Sequence, residues 1–484
     1  MESVKRNAVP VMFEEVPYSA PPSIYESVAV ASPYSFLLES VKGPEKIARY
    51  SFAGFDPCLK FTVRDGTVEI VTLEPKKLST RNPLGIMKSL LSLYKQAPAE
   101  HLPPFQGGFA GILSYDFVHY LESLPRNTTD DLNLPEAHFL MIDKLIAFDH
   151  SRRKSWIMVC PGVRDCLKSG SENSCWAEKY EAAEDEIKNI QKGIGKKLHD
   201  GDAAVPSSRK IEIVYEMKKN EYMDIVRRAK EYIAAGDIFQ SNLSQRVSAY
   251  ITGTNTWSLY RILRSVNPSP FAAYLDFGDY RVVSSSPERL LRVRNRTVDT
   301  RPIAGTRPRG KNNTEDELMR SELLLNEKER AEHIMLIDLE RNDLGRVSEY
   351  GSVNVDELMI TEDYSHVIHI VSNIQGCLAG KKDCFDAVRA AFPGGTITGV
   401  PKVRCMEIID ELEPVRRGPY TGSIGYISFS GNMDLNIVIR TFVIKGETAY
   451  VQAGAGIVAD SDPEREYYET LKKAEALIKT LEMA

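Results

Sequence analysis

Residues 326–345 read NEKERAEHIMLIDLERNDLG, a stretch with the spacing of a helix packed on one side. Its apolar residues recur at roughly helical spacing, with few helix breakers before Asn342. Glu329 and Glu332 are three residues apart, so on a helix they share one face, with Cβ atoms about 5–6 Å apart. Like charges that close repel unless a cation, a proton or a basic neighbour neutralises them. The pair is therefore either a solvated face screened by basic residues or half of a divalent-cation site.

A second helix near the C-terminus repeats this spacing. Residues 461–464 read SDPE, a capping box with a proline in the first turn. Glu466 and Glu469 follow, again three residues apart. The helix dipole favours carboxylates in a first turn, which is a purely structural reason for both residues. Two E-x-x-E helices would nevertheless supply the oxygen ligands that Mg²⁺ takes, with water completing the octahedron.

The composition of the chain bounds its class. Its 484 residues are enough for one large or two ordinary domains, and the net charge of −6 argues against a nucleic-acid partner. The seven cysteines form no CxxC pair, which is typical of a reducing compartment. The N-terminus lacks the apolar run of a signal peptide, and no stretch of about 18 apolar residues follows. We therefore expect a cytoplasmic protein with no nucleic-acid or membrane partner.

The best candidate for a boundary within the chain is residues 193–209, GIGKKLHDGDAAVPSSR. This segment is charged, contains glycine and serine, and lacks hydrophobic periodicity, so it is predicted to be a linker. It would separate an N-terminal region, residues 1–190, from a second region, residues 210–484.

Three polar residues could have a structural or a chemical role. Gln240 lies in a strand-like run and must find hydrogen-bond partners if it is buried. Glu288 could be a surface carboxylate, or a general acid if its surroundings raise its pKa. Ser40 could be a ligand-binding hydroxyl, although a serine at the end of a strand has an ordinary structural explanation.

Long strings of the sequence resemble one known family. These strings are GDIFQSNLSQR, SSSPERLL, RPIAGTRPRG, NEKERAEHIMLIDLERNDLGRV, YSHVIHIVSN, FPGGTITGVPKV, GSIGYISF, IRT and AGAGIVADSDPEREYYETLKKA. Residues 215–475 resemble the chorismate-binding enzymes, which include component I of anthranilate synthase and of aminodeoxychorismate synthase, and the isochorismate and salicylate synthases. Residues 1–190, with LLES, RYSF and GGFAGILSYD, are similar to the N-terminal region of the two ammonia-using members. The resemblance implies an α+β fold of two stacked antiparallel sheets flanked by helices.

The resemblance also implies a magnesium site and two catalytic residues. Glu332 and Glu469 would bind Mg²⁺ directly, with Glu329 and Glu466 supporting them through water. The metal would hold the ring carboxylate of chorismate and polarise the allylic system. By the same resemblance, the general acid that protonates the departing C4 hydroxyl is Glu288, and the histidine of the later steps is His369.

The resemblance implies six further substrate contacts: Thr396, Lys402, Tyr426, Arg440, Gly454 and Gly456. Arg440 would form a bidentate pair with the carboxylate of the enolpyruvyl group. Tyr426 and the backbone from Gly454 to Gly456 would complete that clamp.

Gln240 indicates the nucleophile. The isochorismate and salicylate enzymes have a lysine at this position, which serves as the base that activates water. A glutamine cannot act as that base at pH 7, so ammonia is the expected nucleophile. The chain has no cysteine–histidine glutaminase motif, so a separate glutamine amidotransferase subunit, component II, is expected to supply the ammonia.

The identity of the product is the feature that the sequence predicts least directly. Ala304, in PIAGT, matches the anthranilate pattern, and it excludes the covalent lysine used by many aminodeoxychorismate synthases. However, SNLSQR, NPSPFAAYLDF, SSSPERLL, DLERNDLG, GSIGYISF and LNIVIRT look more like aminodeoxychorismate synthases. We therefore expect 4-amino-4-deoxychorismate, for 4-aminobenzoate and folate synthesis, with anthranilate, for tryptophan synthesis, as the alternative. A third hypothesis is a non-catalytic regulator that binds chorismate or tryptophan.

The LLES segment, which contains Ser40, resembles the tryptophan-inhibition element of anthranilate synthase. It also occurs in aminodeoxychorismate synthases. The adjoining NPSPYM segment of anthranilate synthase reads NPSPFAA here, so Ala272 replaces a methionine and removes apolar contact surface. Ser40 is thus a candidate for a tryptophan site with weakened feedback.

Overall fold

The computed structural model describes residues 8–30, 32–169, 175–195, 211–364 and 367–484. In this part of the chain, most strands belong to two antiparallel sheets of 12 strands each. Helices flank the sheets, which confirms the predicted α+β class.

The first sheet contains the strand that begins at Gln240. In spatial order its strands are Ile213–Tyr215, Gln240–Tyr250, Thr448–Ile457, Thr441–Lys445, Tyr280–Ser286, Phe271–Asp276, Ser35–Glu39, Tyr50–Gly54, Lys144–Asp149, Lys154–Val159 and Met12–Val16, with Gly399–Val400 also paired to Gln240–Tyr250.

The second sheet lies face to face with the first. In spatial order its strands are Ile303–Pro308, Val367–Cys377, Thr297–Arg301, Arg289–Arg294, Met433–Asn436, Ser423–Ser428, Gly108–Leu113, Ala137–Ile142, Leu59–Arg64, Thr67–Val71 and Pro75–Ser79, with Asn354–Asp363 also paired to Val367–Cys377. A separate parallel pair is formed by Val9–Pro10 and Gln96–Ala97.

The helices connect and cover these strands. The α-helices are Pro21–Val28, Pro83–Leu91, Val163–Ser169, Trp176–Gly195, Lys219–Ala234, Thr256–Val266, Asn313–Leu325, Glu327–Gly345, Cys384–Ala391, Lys402–Leu412 and Pro463–Glu482, and the 3-10 helices are Tyr115–Tyr120 and Gly395–Ile397. Among the residues described, none of these helices is both long and apolar enough to cross a lipid bilayer.

The core has two layers, one on each face of the first sheet. Leu145 and Ala147 pack into the layer between the sheets, whereas Ile146 and Phe148 pack against the helices outside. This alternation explains why the strand Lys144–Asp149 is apolar on both faces. In the layer between the sheets, aromatic side chains of the first sheet contact aromatic side chains of the second.

Both sheets continue across the predicted boundary. The strand Phe271–Asp276 pairs with Ser35–Glu39, and Ser423–Ser428 pairs with Gly108–Leu113. The division into residues 1–190 and 210–484 stays a prediction. Of the predicted linker, the first three residues end the helix Trp176–Gly195, and residues 196–209 lie outside the described residues.

Both E-x-x-E segments are helical, as predicted. The helix Glu327–Gly345 is capped by Asn326, whose side chain accepts a hydrogen bond from the Glu329 amide at 3.1 Å. The helix Pro463–Glu482 is capped by Asp462, which accepts from the Arg465 amide at 2.9 Å. The N-cap is therefore Asp462 and not Ser461, and the predicted capping box is not formed, because the third helical residue is Arg465, whose side chain cannot accept a hydrogen bond.

Candidate active site

Gln240, Glu332 and Gly456 meet where one helix approaches the first sheet. Gln240 Nε2 donates a hydrogen bond to Glu332 Oε1 at 2.9 Å. Gly456 lies on the neighbouring strand, and a methyl group there would be 2.6 Å from Gln240 Nε2 and 3.9 Å from Glu332 Oε1. Because that space is already taken, only glycine lets the strand and the glutamine side chain come this close.

Gly454 is surrounded by polar side chains from three elements. A methyl group at Gly454 would lie 2.5 Å from Asn242 Oδ1 and 2.8 Å from the Tyr420 hydroxyl. Its carbonyl accepts a hydrogen bond from Lys473 Nζ at 3.0 Å, and the same amine pairs with Glu469 at 2.8 Å. Lys473 therefore connects the second E-x-x-E helix to this strand, a link that the sequence analysis did not predict.

Glu329 faces the strand Ile303–Pro308. Arg307 donates to Glu329 Oε1 at 2.6 Å. The other carboxylate oxygen, Oε2, is buried without a hydrogen-bond partner among the described residues. A methyl group at Gly305 would collide with that oxygen, and Gly305 has a φ of +63°, so both its space and its backbone conformation favour glycine.

His369 contacts the backbone carbonyl of Gly305. Its Nδ1 is 3.3 Å from the Gly305 carbonyl oxygen and 2.9 Å from Thr306 Oγ1. Burial lowers the pKa of His369 to about 4, so the imidazole is neutral at pH 7. Since a carbonyl oxygen only accepts, its contact with Nδ1 favours the tautomer protonated there. Nε2 is then left as the basic nitrogen.

Arg440 is a half-buried cation that interacts electrostatically with Tyr420 and His369. Burial lowers the pKa of its guanidinium. Within the described parts of the chain, its side chain makes no ion pair with a carboxylate. Its φ of +53° is unusual for a residue with a side chain. An uncompensated buried charge is costly, so this position is suited to an anionic ligand.

Glu288 has the properties of a general acid. It is buried, and the Ile303 amide lies 3.4 Å from its Oε1. Burial raises the pKa of Glu288 to about 7, against the opposing effect of the nearby Thr396 side chain. A carboxyl group with this pKa carries a proton in about half of the molecules at neutral pH and can donate it.

A second buried carboxyl, Glu340, lies close enough to Glu288 to interact with it. Burial raises the pKa of Glu340 to about 8, and Glu288 adds to that rise. Thr300 Oγ1 donates a hydrogen bond to Glu340 at 2.7 Å. The sequence held a signal for this residue, because Glu340 follows Leu336 at helical spacing on the buried side of the helix.

Lys402 belongs to this buried group. Its amine donates to Asp343 Oδ2 at 2.5 Å and to the Ala391 carbonyl at 3.1 Å. The predicted substrate contact is therefore not supported by its present orientation, which points the amine at a protein carboxylate.

Tyr426 is not beside Arg440. It lies on the strand Ser423–Ser428, where its ring stacks on Phe105 at 4.6 Å in the layer between the sheets. Tyr420 is the tyrosine that approaches both Gly454 and Arg440. The substrate contact of Tyr426 stays a prediction, and the structure adds Tyr420, six residues earlier in the chain, as a second candidate for it.

Ser40 and Tyr426 line a separate cavity of about 620 Å³. Ser40 Oγ lies 2.8 Å from the Tyr50 carbonyl and 3.1 Å from the Pro270 carbonyl, so a strand-end role is satisfied. Ala272 also lines the cavity. The tryptophan site stays a prediction.

Ala304 is buried, opposite Ile370 in the second sheet. It lies next to Gly305 and thus close to the group around Glu329 and His369. Its methyl side chain provides no nucleophile.

The four predicted metal ligands lie on two helices, and Lys328 of the first forms an ion pair at 2.8 Å with Asp460, in the segment just before the second. Over the described residues, no set of three or more histidine, cysteine, aspartate or glutamate side chains is arranged to hold a metal ion. Burial raises the pKa of Glu466, and Glu469 adds to this. The donor chemistry fits Mg²⁺, since carboxylate oxygens predominate and Glu329 Oε2 has no partner. The magnesium site stays a prediction.

Hydrogen bonds, close approaches to glycines, electrostatic interactions and shared elements link nine residues into a ring of neighbours. In order around the ring are Glu329, Gly305, His369, Arg440, Tyr420, Gly454, Gly456, Gln240 and Glu332. Residues from both sheets and from the helix Glu327–Gly345 are thus brought together.

Known proteins resemble the chain over nearly its whole length. The model of the chorismate binding enzyme family matches residues 33–479. Anthranilate synthase component 1 of Acetivibrio thermocellus is 45% identical over 99% of this chain and 96% of that protein. Aminodeoxychorismate synthase component 1 of Bacillus subtilis is 42% identical over 95% and 94%. The crystal structure of anthranilate synthase component I from Streptococcus pneumoniae is 35% identical, with a TM-score of 0.78 over 89% of this chain and 92% of that one.

Proposed function

The chain belongs to the chorismate-binding enzyme family, and we propose that it aminates chorismate with ammonia in a Mg²⁺-dependent reaction. The observation that carries the proposal is the presence of both a half-buried cation with no carboxylate partner among the described residues, Arg440, and a buried carboxyl of raised pKa, Glu288. Chorismate is a dianion with a hydroxyl leaving group. It requires both an anion site and a proton donor.

Arg440 would bind a carboxylate of the substrate. A guanidinium offers a planar fork of donors that matches a carboxylate, and burial strengthens that interaction because water competes less. Tyr420 and the backbone at Gly454 would complete this side of the site. Tyr420 is assigned to this side because its hydroxyl lies close to Gly454.

Glu288 would deliver a proton to the departing C4 hydroxyl so that it leaves as water. Its pKa of about 7 keeps enough of the acid form at neutral pH. Neutral His369, with its Nε2 free to accept, could take up a proton in a later step.

Glu332 and Glu469 would hold Mg²⁺, with Glu329 and Glu466 behind them. When bound, the ion would neutralise the ring carboxylate of chorismate and draw electron density from the allylic system. Arg307 already fixes one oxygen of Glu329, which leaves the other oxygen available.

Ammonia is the proposed nucleophile because Gln240 cannot serve as a base toward water. The relatives are named component 1, and we propose by analogy that a glutamine amidotransferase, component II, supplies the ammonia here.

We propose 4-amino-4-deoxychorismate as the product, on the strength of the sequence strings that resemble aminodeoxychorismate synthases. The 42% identity to the Bacillus subtilis enzyme is compatible with it. Anthranilate is the second candidate. Ala304 favours it, because no nucleophilic side chain is present for covalent C2 attack.

The test is incubation of the pure protein with chorismate, Mg²⁺ and an ammonium salt. Formation of 4-aminobenzoate only after an added lyase would support the C4 product, and fluorescent anthranilate from this chain alone would establish the alternative. A binding regulator predicts no chorismate consumption, so turnover of either kind would exclude it. Absence of turnover in the presence of ammonium and Mg²⁺ would overturn the proposal.

A further inference from the structure

The hydroxyl group of Thr300 has two oxygens within reach but only one proton to donate. Its Oγ1 lies 2.8 Å from the Leu290 carbonyl oxygen and 2.7 Å from Glu340 Oε2. Leu290 falls at the shift in register of both pairings of its strand. A carbonyl oxygen only accepts, whereas a hydroxyl donates once and can also accept. To an ionised Glu340 the hydroxyl donates its proton, and the Leu290 carbonyl is then left without it.

Both contacts are hydrogen bonds when Glu340 carries a proton. The carboxyl O–H then donates to Thr300 Oγ1, and the threonine hydroxyl donates to the Leu290 carbonyl. A distance of 2.7 Å is the usual length of such an O–H···O bond. Glu340 is only 8% exposed, so the proton also avoids the cost of burying a charge. The geometry around Thr300 therefore favours the protonated form of Glu340.

The cation that acts on Glu340 is already matched by another carboxylate. The charged groups that interact with Glu340 are Glu288, Asp343 and Lys402. The Lys402 amine donates to Asp343 Oδ2 at 2.5 Å and to the Ala391 carbonyl at 3.1 Å. Because Lys402 and Asp343 neutralise each other, a charge on Glu340 would have no cation of its own.

The segment from Thr300 to Ile303 connects Glu340 to Glu288. Thr300 contacts Glu340, and the Ile303 amide, three residues later in the chain, lies 3.4 Å from Glu288 Oε1. Both carboxyls are buried, and they interact electrostatically. Two negative charges in such a place would repel each other with little screening by water. The two carboxyls are therefore expected to keep at least one proton between them at neutral pH.

The other groups that face Glu288 bring no unmatched cation. The Thr396 side chain is uncharged. The Tyr364 hydroxyl, which interacts electrostatically with Glu288, donates a hydrogen bond to Glu362 at 3.3 Å. Arg301 acts on the same tyrosine, but it forms an ion pair with Glu362 at 2.5 Å. A charge on Glu288 is thus as poorly compensated as a charge on Glu340.

We propose that Glu340 is a positioning residue that holds a proton in the resting enzyme and returns it to the general acid, Glu288, after each turnover. This role rests on the proposed amination of chorismate. Glu340 acts through Glu288 and does not itself contact the substrate. The two carboxyls lose their protons as one coupled pair.

The proton transfers balance over one turnover. Glu288 gives its proton to the departing C4 hydroxyl, and the C–O bond breaks with its electron pair on oxygen, so that water leaves. The nitrogen lone pair of ammonia forms the new C–N bond, and the resulting ammonium group loses one proton to solvent. Glu340 passes its proton to Glu288 and becomes a carboxylate, which accepts a hydrogen bond from the Thr300 hydroxyl. A proton from solvent then restores Glu340, and the net change is chorismate plus ammonia to an amine plus water.

The first test is the dependence of kcat on pH in the variant Glu340→Gln, from pH 6 to 9 at saturating chorismate and ammonia. In the wild type, the decline in kcat should extend over the pKa values of about 7 for Glu288 and about 8 for Glu340. A glutamine can neither repel the charge on Glu288 nor return a proton to it. The variant should therefore decline in a single step, at a pH lower by about one unit. Its KM for chorismate and its kcat at pH 6 should agree with those of the wild type within about threefold.

The second test detects the proton itself by infrared spectroscopy of the enzyme without substrate. At pH 7 the wild type should show the carbonyl absorption of protonated carboxyl groups. The difference spectrum between the wild type and Glu340→Gln should contain one such absorption, which belongs to Glu340. This measurement requires no turnover.

Asp410→Asn is the matched control. Asp410 is 9% exposed, lies on the helix Lys402–Leu412, and accepts hydrogen bonds from Thr128 Oγ1 at 3.2 Å and from the Asn127 amide at 2.8 Å. It is thus a buried carboxyl on a helix with a threonine partner, like Glu340. We expect the pH profile of this variant to coincide with that of the wild type. Glu340→Asp, which keeps a titratable group, should return the profile part of the way from Glu340→Gln to the wild type.

The outcomes separate the two proposals. If the wild type consumes no chorismate with ammonium and Mg²⁺, the amination is wrong, and the role of Glu340 in turnover is wrong with it. If the wild type is active and the pH profile of Glu340→Gln coincides with it, only the role of Glu340 is overturned. An equal fall in kcat at every pH, or an infrared spectrum unchanged by the substitution, would also overturn that role. If Glu340→Gln fails to fold by circular dichroism, Glu340→Met, which is uncharged and of similar length, has the same expected shift.

Discussion

At the scale of single residues, burial gives the site its chemistry. Glu288 and Arg440 would be ordinary ions in water, with a charged carboxylate and a fully protonated guanidinium. Burial without a compensating ion raises the pKa of Glu288 and lowers the pKa of Arg440, and each shift favours the uncharged form. The protein pays for this in stability, which is typical of sites that bind and activate a charged substrate.

Replacing Glu288 with glutamine should abolish proton donation while keeping the fold. We expect kcat to fall by about 10²–10⁴-fold, the usual contribution of a general acid. In the wild type, kcat should decline as the pH rises above about 7, because Glu288 then loses its proton. A rate profile from pH 5.5 to 9 checks this. Undiminished kcat in Glu288→Gln would remove the residue from the mechanism.

The same substitution should alter the pH dependence of stability. The folded-state pKa of about 7 is above the ordinary value of 4.5, so the folded protein holds the proton more tightly. Stability from this group is full below about pH 4.5 and is lost as the pH rises through about 7, by at most about 3 kcal/mol. Glu288→Gln should therefore be relatively more stable than the wild type above pH 7 in urea denaturation.

Asp116→Asn is the control. Burial also raises the pKa of Asp116 to about 7, yet this residue lies outside the ring of neighbours, where its Oδ2 accepts a hydrogen bond from the Gly418 amide at 2.8 Å. It should gain similar stability without losing turnover.

Arg440, which is half-buried, and Arg417, which is buried, are expected to respond in opposite ways to substitution. Arg417 forms an ion pair with Glu413 at 2.7 Å, whereas the side chain of Arg440 has no carboxylate partner in the described residues. Arg440→Gln should raise the KM for chorismate by about 10–100-fold, the value of a charge-assisted hydrogen bond, and should not lower stability. Arg417→Gln should destabilise by about 3–5 kcal/mol, because it strands a buried carboxylate. Urea denaturation and steady-state kinetics distinguish the two variants. A loss of stability in Arg440→Gln would contradict the inference that the charge of Arg440 is uncompensated.

At the scale of elements, two helices present carboxylates to one strand. The helix Glu327–Gly345 brings Glu332 to Gly456, and the helix Pro463–Glu482 brings Lys473, which pairs with Glu469, to Gly454. Glycines on the strand Thr448–Ile457 allow both approaches. Each helix keeps its own cap and its own buried side, so its carboxylates can be changed with little effect on folding.

Glu332→Ala should therefore remove activity without unfolding the protein. We expect at least a 100-fold loss of turnover, because replacing even a second-sphere group of a metal site typically costs about 10–100-fold in metal affinity or activity. Chelation of the wild type with EDTA should have the same effect, and added Mg²⁺ should restore the wild type only. In thermal denaturation, the free energy of unfolding of Glu332→Ala should differ from that of the wild type by less than about 1 kcal/mol, the range expected for a half-exposed position. Arg341→Ala, on the exposed side of the same helix, is the matched control. Full activity in Glu332→Ala would remove this residue from the metal site.

At the scale of the whole molecule, the two regions of the chain complete each other's sheets. Each sheet crosses from one region to the other through one strand pairing, at Phe271–Asp276 in the first sheet and at Ser423–Ser428 in the second. Separating the regions would leave open edges in the middle of both sheets.

Residues 211–484 expressed alone should therefore aggregate rather than form a stable monomer. Coexpression with residues 1–195 should restore a soluble complex through the two pairings. Solubility and size-exclusion chromatography provide the measurement, with the full chain as the control. A monomeric 211–484 fragment that unfolds in one cooperative step would show that the second region folds independently.

The sequence by itself determined the local elements and the chemical types. The two E-x-x-E helices, the strand beginning near Gln240 and the strand that contains Gly454 all follow from short-range rules of periodicity and capping. Resemblance then supplied the stacked sheets, which the structure and the relatives confirm.

Only the tertiary structure decided which polar groups are buried together. Tyr420 and Tyr426 are near neighbours in sequence, but sheet pairing places Tyr420 at Gly454 and Tyr426 in the cavity with Ser40. Lys402 turns to Asp343, a partner that lies 59 residues away. Burial, and with it the raised pKa of Glu288, depends on contacts between distant segments, which the spacing of residues along one chain does not encode.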